Sequence, residues 1–177
     1  MSTVSPERIT IPRYCHQCGG DLIERLIESE RRARLVCEMC GFIHYLNPRV
    51  VSSVIVERDG DVLLQQRAME PRAGYWTFPG GFLEVGETTA EGARREAKEE
   101  VGLDVTLGTL LGVYSRPQVG IVLVVYYGKA GDGEAIVGDA ESTAVRWFAR
   151  EEIPWDDLAF DSTITALRDW VAGAGGE

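Results

Sequence analysis

The sequence predicts a mixed α/β domain built around one acidic helix, preceded by a small metal-stapled β module. Three observations predict it. Two identical Cys-x2-Cys knuckles fall within the first 40 residues, β-type alternation with turn signals lies on both sides of residues 88–101, and a glycine-rich loop runs straight into that helical stretch. The chain has 177 residues, 45% apolar and 26% charged, which suits one domain plus a satellite and excludes a disordered or fibrous chain. The expected boundaries are 1–46 for the module, 47–173 for the larger domain and 174–177 for a flexible glycine-rich tail.

Cys15 and Cys18 form the first knuckle and Cys37 and Cys40 the second, with 18 residues between them. Two residues between thiols let a tight turn aim both sulfurs at one centre, and Gly19 and Gly41 directly after the knuckles free the backbone to make that turn. Four thiolates close a tetrahedral site, so the expected metal is a structural Zn2+. Two disulfides or four unrelated thiols are the alternatives, disfavoured by an intracellular setting and by the paired spacing. His16 and His44 adjoin the knuckles and read as surface or packing residues, the ligand set being complete without them. Residues 22–27 and 33–37 read as short strands joined by a polar turn. The module is then a zinc ribbon of about 40 residues, which buries little core and leans on the metal for its folding energy.

Asn47-Pro48-Arg49 reads as the linker, because proline lacks a donor and drives the preceding residue to extended geometry. Residues 50–57 alternate and are rich in Val and Ile, Asp59-Gly60 is a hairpin signal, and 62–67 is the return strand. A short aromatic strand at 75–78 leads into Pro79-Gly80-Gly81. A helix is expected from Thr88 or Thr89 to about Val101, with Glu91 in its first turn and Gly102 as its stop. Further strands are expected at 105–114, 121–127 and 144–148, and a closing amphipathic helix at 162–172.

The net charge of -10 is uneven: residues 1–49 carry 7 basic and 6 acidic side chains, so the excess acid belongs to the larger domain. An acidic body argues against a nucleic-acid partner, whose affinity rests on a dense basic footprint. It leaves a small polyphosphate substrate open where a divalent cation mediates the contact. The first residues lack the basic start and apolar run of a secretory signal, so the expected compartment is the cytoplasm. The longest apolar stretch, 121–127, is far short of the ~20 residues of a membrane span, and none is expected.

On a helix, Glu96 lies three residues from Glu99 and four from Glu100, so the three carboxylates share a face. Each like-charge neighbour at that spacing costs ~0.2–0.5 kcal/mol, which a bound cation offsets, and hard oxygen ligands suit Mg2+ or Mn2+. A solvated acidic face, with Arg95 bridging Glu91 and Glu99, is the plainer alternative. The preceding Pro-Gly-Gly loop favours the cation, since glycine lets backbone groups approach a metal or phosphate closely.

Residues 81–103 resemble the Nudix box, Gly-x5-Glu-x7-Arg-Glu-U-x-Glu-Glu-x-Gly-U, at all of its fixed positions: Gly81, Glu87, Arg95, Glu96, Glu99, Glu100 and Gly102, with Ala97 and Leu103 in the aliphatic slots. The resemblance implies an α/β/α sandwich with a mixed sheet, and metal-dependent hydrolysis of a nucleoside diphosphate linked to another moiety. It implies that Glu96, Glu99 and Glu100 hold Mg2+ or Mn2+, joined by the Gly81 carbonyl, with Glu87 and Arg95 as supports. An acid beyond the box often assists in this family; Glu141 is the candidate, an exposed loop glutamate being its alternative. Glu96, Glu100 and Glu141 contend for the role of general base. Arg67 and Arg116 are candidate phosphate contacts, although surface ion pairs are the commoner fate of arginine. Trp76, Tyr114 and Tyr126 are candidate base-stacking rings, although aromatics in strands more often fill cores.

A zinc ribbon followed by a Nudix domain resembles the NADH, FAD and ADP-ribose pyrophosphatase branch. The NADH group carries Ser-Gln-Pro-Trp-Pro-Phe-Pro-x-Ser beyond the box, whereas residues 114–120 here read Tyr-Ser-Arg-Pro-Gln-Val-Gly. FAD or ADP-ribose is therefore expected ahead of NADH, with AMP and a phosphorylated remainder as products. A nucleoside triphosphate pyrophosphohydrolase is one alternative. A non-catalytic ligand sensor with an interaction ribbon is another, which the intact box glutamates disfavour. The family often forms homodimers, and 121–127 offers an apolar interface, with burial inside the sheet as its simpler reading.

Overall fold

Two separate β-sheets form, one from the cysteine-bearing stretch and one from the Val- and Ile-rich stretches, in the computed structural model, which describes residues 9–138 and 140–173. The expected tail at 174–177 and the start of the chain read for a signal, residues 1–8, lie outside the described residues. In the smaller sheet, β1 (Leu22–Ile27), β2 (Arg32–Cys37) and β3 (Ile43–His44) pair antiparallel in that order. Both knuckles close by the same turn: the N–H of Gly19 donates to the Cys15 carbonyl at 2.8 Å and that of Gly41 to the Cys37 carbonyl at 3.0 Å. Both glycines sit at positive φ, 77° and 73°, where a Cβ would be strained. β3 carries no sequence signal of its own; it is the two-residue return from the second knuckle.

The larger sheet contains β4 (Arg49–Arg58), β5 (Asp61–Arg67), β6 (Trp76–Thr77), β7 (Gly80–Phe82), β8 (Val105–Arg116), β9 (Ile121–Ala130) and β10 (Ser142–Phe148). Its order is β10-β5-β4-β9-β8, with β6 on β5 and β7 on β4. β4 and β9 run parallel and every other pair antiparallel, so the sheet is mixed. Asp59 and Gly60 turn the β4–β5 hairpin with φ of 54° and 92°, the left-handed pair that a two-residue turn needs.

Alternation then fills two layers. Val54, Val56 and Leu63 face α1 (Thr89–Val101) and meet its Ala93, Ala97 and Val101. Ile55, Val62 and Leu64 face the other way and meet Ala166, Leu167 and Trp170 of α2 (Asp161–Val171). Successive strand residues point to opposite faces, so one hairpin supplies both cores, and each fully buried side chain of this size contributes roughly 1.5–3 kcal/mol. The product is the expected α/β/α sandwich.

One detail differs from the sequence reading, and one follows the simpler of two readings. Gly80 and Gly81, expected in a loop, lie in β7, because β4 pairs with β5 only near the turn, at Glu57↔Val62 and Arg58↔Asp61, leaving its earlier edge to Gly80–Phe82. Strand 121–127 has hydrogen-bonded neighbours on both sides, β4 and β8, so it offers no free edge to a second copy. Among the described residues no helix is long and apolar enough to cross a membrane.

Candidate active site

The loop ahead of α1 is tied to the helix by its own cap and by one arginine. Thr88 accepts from the Glu91 N–H while Glu91 accepts from the Thr88 N–H, a capping box that fixes where the helix starts. This occupies Glu91, so of the two Arg95 bridges in the plainer alternative only the one to Glu99 forms. Arg95 donates to Glu87 at 2.7 and 3.1 Å, to Glu96 at 2.7 Å, to Glu99 at 3.0 Å and to the Phe82 carbonyl at 3.2 Å. One guanidinium thus faces three carboxylates and leaves the cluster net negative, which suits a divalent cation.

Arg95, and next the Glu84 N–H, hold the Glu87 carboxyl down to about 2 from its ordinary 4.5. The stabilisation is therefore complete above pH 4.5 and is lost as the pH falls toward 2. Glu87→Gln is expected to flatten the pH dependence of thermal unfolding across that window. Identical slopes in parent and variant would remove the pair as a source of stability.

Glu96 is 9% exposed, and burial raises its carboxyl above the ordinary range; Arg95 opposes the rise and the charges of Glu99 and Glu141 add to it. Gly81 packs so closely on Glu96 that a methyl group there would fall on the carboxylate, which brings the Gly81 backbone and the Glu96 oxygens together. Glu100, 6% exposed, lies behind this point: its Oε2 accepts from the Gly80 N–H at 2.8 Å and from Gln65 Nε2 at 2.7 Å. Gln65 Oε1 in turn accepts from Ser142 Oγ at 2.8 Å. Sequence reading missed Gln65, since its only signal is a polar residue inside a buried strand.

A cleft of about 450 Å3 opens over the α2 face of the sheet, within the size range of small-molecule sites. Glu96, Glu99, Glu141, Gly81, Arg67 and Arg116 all line it, so the structure brings these predicted residues together. Glu100 contacts the site from behind Gly80, and Glu87 and Arg95 brace the loop from the far side of β7. Arg49, Phe82 and Phe160 also line the cleft and were not singled out from sequence. Arg49, Ile121 and Arg116 form one register row across β4, β9 and β8, which places them on the same face.

Three predicted stacking rings are employed elsewhere. Trp76 packs edge-on against Phe148 at 5.1 Å in the core; it is not among the cleft-lining residues. Tyr114 donates to Asp169 at 2.7 Å, and the Tyr126 and Thr89 hydroxyls share a hydrogen bond of 2.7 Å.

In the ribbon, the four cysteine sulfurs lie within 4.8 Å of one another, with Cys15–Cys40 at 3.8 Å and Cys18–Cys37 at 3.4 Å. Tetrahedral zinc with bonds of ~2.3 Å needs sulfurs about 3.8 Å apart, so the residues fit the metal. No disulfide links them, and the Cys40 N–H above all lowers the Cys37 thiol to about 7, favouring a thiolate. His16 stacks edge-on against Phe42 at 4.8 Å and His44 at 5.8 Å, a packing role.

Residues 46–167 match the family model described as the NUDIX domain. The chain belongs to the Nudix hydrolase family. Residues 13–46 match the model described as Nudix N-terminal, a zinc ribbon. This Nudix hydrolase is 38% identical over 121 residues to an ADP-ribose pyrophosphatase of Methanocaldococcus jannaschii, covering 66% of this chain and 70% of that one. It is 30% identical over 144 residues to the NAD-capped RNA hydrolase NudC of Vibrio vulnificus, covering 80% of this chain; the aligned region is 52%, about half, of that relative. A NUDIX hydrolase from Nitrosomonas europaea superposes with a TM-score of 0.84 at 40% identity, covering 89% of each chain. The chain is thus a pyrophosphohydrolase of a family that generally uses divalent cations.

Proposed function

We propose that this Nudix hydrolase cleaves the diphosphate of FAD or ADP-ribose by attack of water on phosphorus, releasing AMP and a phosphorylated product. The observation that carries this reading is the meeting of Glu96, Glu99 and the Gly81 backbone at one end of a cleft large enough for a nucleotide. The pyrophosphatase from Methanocaldococcus jannaschii supports ADP-ribose. NADH and an NAD-capped RNA end are the second reading, supported by the NudC relatives, and they keep a nucleic-acid substrate open despite the acidic charge.

Glu96, Glu99 and Glu100, with the Gly81 carbonyl, hold Mg2+ or Mn2+. When bound, such cations offset charge on the transferring phosphoryl group and lower the pKa of a water. Arg95 and Glu87 keep β7 and α1 in register, so the carboxylates stay aimed at the cleft. Gly80 and Gln65 fix one Glu100 oxygen, which makes Glu100 a rigid ligand, while Glu96 and Glu141 line the cleft and contend as proton acceptor. The ribbon, residues 1–46, holds Zn2+ through Cys15, Cys18, Cys37 and Cys40, and residues 47–173 form the hydrolase unit.

The test is a product assay with Mg2+ or Mn2+ on FAD, ADP-ribose, NADH and nucleoside triphosphates. AMP from FAD or ADP-ribose is expected to dominate. Preferred release of pyrophosphate from a triphosphate would replace this reading with the one named for the Escherichia coli CTP pyrophosphohydrolase, a relative 33% identical over 103 residues.

A further inference from the structure

The cleft carries charges of both signs. Glu96 and Glu99 come from α1, Glu141 directly precedes Ser142, the strand partner of Arg67, and Arg67 and Arg116 converge on the ring of Phe160 at the start of α2. The guanidinium of Arg67 lies 5.2 Å from the ring centroid and that of Arg116 4.4 Å from it. These arginines end β5 and β8, which are separated in the sheet by β4 and β9. Beyond their turn β5 and β4 pair with β6 and β7 instead of with each other, so the two arginines start from well-separated strands and both side chains lean inward over the cleft to reach one ring. Drawing two cations together is repulsive. The π face of the ring and, for Arg67, the Pro71 carbonyl that accepts from its Nε at 3.0 Å offset part of that cost, and an anion received between the two forks offsets more.

Phe160 with both guanidiniums over it has little face left for a base. Its geometry fits a different task, the setting of the two forks that bind phosphate oxygens. We infer that Phe160 is a positioning residue that holds Arg67 and Arg116 as a clamp for the substrate diphosphate. The inference rests on the pyrophosphohydrolase reading for its ligand, a nucleoside diphosphate ester. It explains why an acidic chain keeps arginines in its acidic cleft: the clamp meets the phosphate oxygens that the cation end leaves uncovered.

The test uses the full zinc-loaded chain and two readouts. Inorganic pyrophosphate is titrated calorimetrically into the parent, Phe160→Leu, Phe160→Tyr and Arg116→Gln, and KM and kcat for ADP-ribose are measured with Mg2+. Phe160→Leu and Arg116→Gln are expected to weaken pyrophosphate about tenfold and raise KM by a similar factor, with kcat falling far less, whereas Phe160→Tyr, which keeps the ring, restores both. Unchanged pyrophosphate affinity and KM in folded Phe160→Leu would overturn the clamp. So would a tyrosine variant as weak as the leucine one. Should the leucine variant not fold, the tyrosine and Arg116→Gln variants decide. Ring-dependent pyrophosphate binding without turnover of any dinucleotide would keep the clamp and overturn the proposed substrate instead.

Discussion

Glu100→Gln is expected to lower kcat by about 10²–10⁴-fold while leaving the fold intact. Glutamine has nearly the same volume, and its oxygen can go on accepting from the Gly80 N–H and from Gln65 Nε2, so β7 stays seated on α1. What the variant loses is one negative charge at a place where Glu96 and Glu99 already face a single guanidinium. The cation-binding end is weakened without being reshaped. The same assay run against Mn2+ concentration separates two roles: a rate that recovers at high Mn2+ makes Glu100 a ligand, and one that stays low makes it part of the chemistry. Turnover within about threefold of the parent at all metal concentrations would remove Glu100 from the mechanism.

The sandwich was legible because its signals are local. Thr88, Glu91 and Gly102 mark the limits of α1, and Asp59-Gly60 marks the hairpin, each by backbone chemistry that needs no knowledge of the fold. The shared face of Glu96, Glu99 and Glu100 was equally legible from helical spacing, whereas the parts given to Gly81, Glu87 and Arg95 came from the resemblance to the family. What escaped depends on contacts between distant elements. β7 exists because β4 has an unpaired edge to offer, and two glycines give no strand signal. Arg95 chose Glu87, eight residues away, over Glu91 four away, because the capping box had already taken Glu91. Gly138 shows the same limit: its N–H donates to the Glu100 carbonyl at 2.9 Å, and a side chain there would strike the Glu99 backbone, yet nothing in 136–138 announces a seat on the end of α1. Phe160 likewise reads as one more aromatic until β5 and β8 bring their arginines to it.

Removing zinc is expected to unfold the ribbon and leave the hydrolase sandwich standing. Among the described residues of 9–46, the buried apolar side chains are Cys15, Val36 and Cys37, so two of the three belong to the four-cysteine cluster. Three short strands around a single valine bury too little apolar area to offset their backbone entropy, which costs roughly 1–2 kcal/mol per residue. Zinc bound by four thiolates supplies an apparent ~10–16 kcal/mol, enough to reverse that balance. The two cores of the sandwich contain no ribbon residue and do not share this dependence. Chelation followed by return of Mg2+ alone should therefore abolish hydrogen-exchange protection in β1 and β2, while β4, β5 and β9 keep theirs. Cys37→Ser should do the same without a chelator, which excludes removal of the catalytic cation as the cause. Protection of β1 and β2 that survives both treatments would mean that side-chain packing, and not the metal, holds the ribbon together.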